Sequence, residues 1–281
     1  MTSLTSARAL KDAGLVWLPA KGDRFVIPDR EMDGDVFVVS DMTIEAQDLA
    51  SGQVLGFNGT TEWALDSVEA ADVLWLPREG QLRAEIGAAF DGLHLEGGAW
   101  EVATSLPDGG WALSRAADAE EAYALALLGL RATTAAQLLP VAGGDLAALL
   151  ADLDATAWQR TAPDGVRTVA DVVSGALGGA GAEPSRGWPG SLESLLATWV
   201  APAEGEDATA VAEAGARGVL VDLVVATWDV GTATTREPAL HPLAVRGALE
   251  HVRTWATSSP VEVAAAPAAS ELDELLGLTG R

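Results

Sequence analysis

The chain contains no cysteine. That excludes disulfides, thiolate metal sites and a cysteine nucleophile. Histidine is scarce: His94, His241 and His251 are the three in 281 residues. His241 and His251 stand ten residues apart in one expected helix, about 15 Å along its axis, too far to face one site at ligand distance. His94 lies in the other half of the sequence. A catalytic zinc normally takes three protein ligands, so no histidine-based metal site is expected. No Ser-His-Asp arrangement can be built from so few imidazoles either. Neither a G-x-x-x-x-G-K-[ST] nor a G-x-G-x-x-G motif occurs, and no cofactor is implied.

Basic residues are also few. There are 17 Lys and Arg against 41 Asp and Glu, a formal net charge of −24. A field of that sign repels nucleic acid and anionic lipid, so neither is expected as a partner. A basic partner captured by the acidic surface is the sharper reading, and plain solubility the simpler one. No run of 18 uncharged apolar residues with membrane character occurs. The opening "MTSLTSARALKDAG" lacks the apolar stretch of a signal peptide, so a cytoplasmic protein is expected. Apolar residues make up 49% of the chain, enough for a sizeable core.

What is present falls into two patterns. The first 131 residues read as a small α+β domain. "RFVIP", "DVFVVS", "MTIEAQDL" and "GQVLGFN" are strand-like runs broken by turn residues. "TSARALKDAGL", "TTEWALDSV", "REGQLRAEIGAAF" and "DAEEAYALALLGLRA" read as helices, the last capped by Asp118. "HLEGGAWEVATSLPDGGWALS" reads as a hairpin. From residue 132 to 257 the pattern is helical. "TTAAQLLPVAGGDLAALLADLD" is one helix or two, because Pro140 and the Gly143–Gly144 pair interrupt it. "GAEPSRGWPG" reads as a loop and "APAEGED" as a linker. Residues 258–281 read as an extended arm and a short terminal helix docked on the helical half, since Leu272, Leu275, Leu276 and Leu278 are many apolar groups to leave in water. A cut-sensitive connection is expected between Arg131 and Asp145.

The helical half resembles a known family. "AWQRTAPDGVRTVADVVSGAL", "LVDLVVATWDVGTAT" and "ASELDELLGLTGR" are similar, in order, to segments of the mycothiol-dependent maleylpyruvate isomerase N-terminal domain. That domain belongs to the DinB-like four-helix metal-binding bundles, so the resemblance implies such a bundle here. The family's two histidine ligands fall on Gly175 and Ala226, and its acidic ligand on Asp222. Two of three ligands are thus missing, and no metal is expected. Trp228 and Asp229 match the family's "WD" pair, implied to be structural. The first half resembles small actinobacterial proteins that carry the name pilus-assembly protein CpaE, through "GDRFVIPDR", "DVFVVSDMTIE", "GFNGTTEWALDSV" and "LWLPREGQLR". True CpaE proteins are similar to ParA/MinD ATPases, which need a phosphate loop; with none here, no nucleotide binding follows.

Two candidate sites emerge. One is a cavity inside the implied bundle, around Trp158, Gly175, Asp222, Ala226 and Trp228. Asp222 sits within the apolar run "VLVDLVVATWDV", where a carboxylate is costly unless paired. Arg167 and Arg246 are candidate partners, and Glu250 is a candidate second carboxylate. The other candidate is the loop Asn58, Gly59, Thr60 and Thr61, a turn and cap that would suit an anion at a helix start. The expected function is a non-catalytic two-domain protein whose bundle has lost its metal ligands and binds a protein or small molecule. The alternative is a metal-independent, thiol-dependent isomerase or transferase. Filling of the space left at Gly175 and Ala226 by side chains or water is expected, because voids cost stability.

Overall fold

The computed structural model describes residues 1–28, 35–40, 44–49, 52–57, 67–178, 184–200, 206–258 and 270–281. Its first half is mixed, with small antiparallel sheets, and its second half is helical.

The chain opens with helix α1 (Leu4–Asp12), capped by the Ser3 hydroxyl accepting from the Ser6 N–H. Six short strands follow. β1 (Arg24–Val26) lies between β2 (Phe37–Val38) and β6 (Leu74–Leu76). β4 (Gly52–Phe57) lies between β3 (Ile44–Leu49) and β5 (Ser67–Glu69). Phe25, Ile27, Val39, Ile44, Leu55 and Val68 form one core, and Val26, Leu74 and Leu76 pack with Ala7 of α1 in another. Around the first, Trp17, Phe25, Phe37 and Phe57 pack ring against ring. The expected helix over "TTEWALDSV" ends differently: Ser67 and Val68 belong to strand β5, paired with Gly56 and Leu55. Residues 58–66, including the loop Asn58, Gly59, Thr60 and Thr61, lie outside the described residues.

Helix α2 (Glu79–Ile86) leads into a three-stranded meander, β7 (Phe90–Glu96), β8 (Ala99–Ser105) and β9 (Trp111–Ala116). The expected hairpin thus has a third strand. Gly97 and Gly98 make the first turn, both with positive φ (58° and 85°), as a tight two-residue hairpin turn requires. Helix α3 (Ala119–Arg131) packs on this sheet, its first turn capped by the Asp118 carboxylate.

The helical half comprises α4 (Ala135–Leu150), α5 (Val169–Ala176), α6 (Pro184–Val200), α7 (Glu206–Thr234), α8 (Pro242–Ser258) and α9 (Glu271–Leu278). α4 is one helix, not two, and Pro140 and the glycine pair lie within it. The reason is packing. A Cβ on Gly143 would come within 3.2–3.3 Å of Leu196 and Leu192 of α6, and one on Gly144 would meet Leu125 of α3 at 2.6 Å. The pair marks a close approach of helices, not a break. The loop expected over residues 181–190 is largely the start of α6. Pro184 is its first residue, where a missing N–H costs nothing. Linker residues 201–205 and arm residues 259–269 lie outside the described residues.

α9 packs on α8. Leu275 and Leu276 are buried, and Glu274 accepts both forks of Arg253 at 2.7 and 2.6 Å. The main helical core runs through Leu139, Leu146, Trp158, Leu220, Leu223 and Ala248 to Leu275. A second core holds Leu10, Leu82, Val102, Tyr123 and Leu127 from the first half. It also takes in Val141 of α4 and Val200 of α6. The change of pattern at residues 131/132 is therefore not a break between cores. Among the described residues, no helix is long and apolar enough to cross a membrane.

Candidate functional site

The five positions read as a bundle cavity differ in burial. Trp158 is buried in the helical core and Ala226 is buried on α7. Trp228 is half-buried. Gly175, on the outer side of α5, is exposed, and a Cβ there would meet nothing within 4 Å. Asp222 is exposed as well, with enough chain around it to push its carboxyl pKa upward by desolvation. The cavity described below has none of the five on its wall. Glu250 is exposed too, so Asp222 and Glu250 are not a buried carboxylate pair. Among the described residues, no group of three or more His, Asp and Glu is placed to hold a metal ion.

The buried carboxylate of α7 is Asp229, one residue after Trp228. It is 1% exposed. Arg281 donates through Nε to both of its oxygens, at 2.9 and 3.1 Å, and Arg167 Nη2 reaches it at 3.3 Å. Arg167 is thus the partner of Asp229 and, through Nε at 2.5 Å, of Asp164. Arg246 goes to Asp108 and Glu271. Both arginines considered for Asp222 are therefore engaged with other carboxylates.

A cavity of about 460 Å³ lies where the two halves meet. One wall is a face of α4 without bulk: Gly143, Ala147 and Ala151 recur every fourth residue, with Gly144 and Ala148 beside them. α6 supplies Trp188, Pro189, Leu192 and Leu196. The first half closes the space with the Gly97–Gly98 turn, Arg115 to Ala117 at the end of β9, Leu125 of α3 and the N-terminus of α1.

The inner charged groups on these walls are already held by the protein. Glu121 accepts from the Ser3 N–H at 2.6 Å, the Ser3 hydroxyl at 3.0 Å and the Ser6 hydroxyl at 2.6 Å. It thereby ties α3 to the start of α1, where a carboxylate also meets the positive end of the helix. Arg115 donates through Nε to the buried carboxylate of Glu101 on β8. Asp152 and Glu193 are exposed wall residues. What remains for an occupant is mainly apolar surface with an acidic rim. Cavities of about 300–1,000 Å³ suit small molecules.

Sequence reasoning missed this place. The signal was there in part, as small residues four apart in α4, but it names only a surface of close approach. The facing walls come from α1, β9 and α6, which no local pattern brings together. No family model, curated protein or solved structure matches the chain.

Proposed function

We propose that the protein is a non-catalytic binding protein whose ligand is a small, largely apolar molecule seated between its two halves. The observation that supports this most is the cavity itself: about 460 Å³, walled by the small-residue face of α4 against Trp188, Leu192 and Leu196. Burial of apolar surface is the main contribution such walls can make, at roughly 25 cal/mol per Å² removed from water. On this reading the helical half remains a DinB-like bundle without its metal, and the binding place is the junction with the first half.

The test uses a neutral fluorescent probe, N-phenyl-1-naphthylamine, titrated into the full chain. Saturable binding of one probe per chain is expected. Ala147→Phe places a ring in the cavity from a half-buried position and should weaken binding at least tenfold with helix content unchanged. Absence of saturable binding, or a variant that binds as before, contradicts the proposal.

A further inference from the structure

Behind the cavity wall, next to Gly144, stands a buried contact between the two ends of the helical half. Asp145 of α4 is 3% exposed, and its Oδ2 accepts the backbone N–H of His241 at 2.8 Å. His241 caps α8 and is 1% exposed. Its Nδ1 accepts the Leu243 N–H at 3.3 Å, and its Nε2 has no partner among the described residues. The ring lies on Gly129 of α3, where a Cβ would fall 2.6 Å from Nε2. One node therefore joins α3, α4 and α8.

A carboxylate in such a place, with one donor, favours its neutral form. An imidazole whose Nδ1 must accept and whose Nε2 faces no acceptor also favours its neutral form. We propose that the Asp145–His241 contact is a pH-sensitive clasp between α4 and the start of α8, stabilising the fold while both side chains are neutral and costing stability when either must be buried charged.

The surrounding charges do not cancel this. Among the described residues, Arg115 of β9 is the charged group whose field acts on Asp145 to favour ionisation, and it is already bound to Glu101 of β8. Burial outweighs both the His241 N–H bond, which also favours the ionised form, and this field, and pushes the Asp145 carboxyl up to about 8. On His241, on α8, burial alone acts, lowering its pKa to about 4. From α3 the ring meets Gly129, which carries no charge. The signs follow from linkage. Asp145 binds its proton more tightly folded than unfolded, so its contribution is present in full below about pH 4 and is lost as pH rises towards 8. His241 binds its proton less tightly when folded, so its contribution is full above about pH 6.5 and is lost as pH falls towards 4.

The experiment is urea unfolding of the full chain between pH 4.5 and 9, with Asp145→Asn and His241→Asn beside it. The asparagine of the first variant can still accept the His241 N–H, and that of the second can still cap α8, but neither titrates. The unfolding constant of the wild type, divided by that of Asp145→Asn, should rise by up to tenfold per pH unit between pH 5 and 8. Divided by that of His241→Asn, it should rise as pH falls from 6.5 to 4.5. A ratio independent of pH in either comparison overturns the clasp. NMR titration of the wild-type His241 ring and Asp145 carboxyl reads the same property without substitution. Ordinary midpoints, about 6.5 and about 3.9, would overturn it equally.

Discussion

Asp222 and Asp229 lie two turns apart on α7 and have opposite surroundings. Asp222 is exposed, although its sequence neighbours Leu220, Leu223 and Val224 are fully buried. Asp229 is buried and answered by two arginines brought from outside the helix, Arg167 and Arg281. The apolar run around Asp222 drew attention away from Asp229: residues seven apart share one side of a helix, and the groups that cover Asp229 come from distant parts of the chain. The contrast is measurable. Asp229→Ala leaves two guanidinium groups without their shared partner and should cost about 3 kcal/mol in urea unfolding at pH 7. Asp222→Ala should stay within about 0.5 kcal/mol of the wild type, as exposed substitutions without such partners usually do. Equal losses at the two sites would contradict this assignment.

At the scale of elements, much of the fold was legible because its signals are local. Asp118 before an acidic first turn marked α3, and the turn-bounded strand-like run "GQVLGF" marked β4. What escaped depends on partners distant in sequence. β6 is three residues long, and its pairing comes from β1, far earlier in the chain. The prolines of α6 read as loop, yet Pro184 takes the first helical position, and Pro189 lies inside the helix, where its ring forfeits a backbone bond and crowds the preceding turn. The glycines of α4 and α5 show the same limit, since the residue alone does not tell a close approach from an open surface. Gly144→Ala would force Leu125 or the Arg115 carbonyl aside and should destabilise by about 1–3 kcal/mol. Gly175→Ala meets nothing and should stabilise α5 by up to about 1 kcal/mol, the ordinary helix gain of alanine over glycine. Thermal or urea midpoints decide; a tolerant Gly144 would mean that α4 does not approach α3 as closely as described.

On the scale of the whole molecule, the halves are distinct in pattern but joined in packing. Val141 and Val200 enter the core of the first half, and Glu121 fastens α3 to α1 beside the cavity. The connection between Arg131 and Asp145, read from sequence as cut-sensitive, is mostly α4 with Leu139, Val141 and Ala142 buried. Unfolding followed by helix content and by tryptophan fluorescence should therefore give one coincident transition. Two separated transitions would contradict a shared core. The account's central claim is that the junction, and not the interior of the helical half, receives a ligand. Leucine-methyl NMR during titration with N-phenyl-1-naphthylamine tests it most directly. Leu125, Leu192 and Leu196 should shift together and saturate at one equivalent, while Leu223 and Leu249 in the helical core stay in place. Shifts confined to Leu223 and Leu249, or none at all, would contradict it.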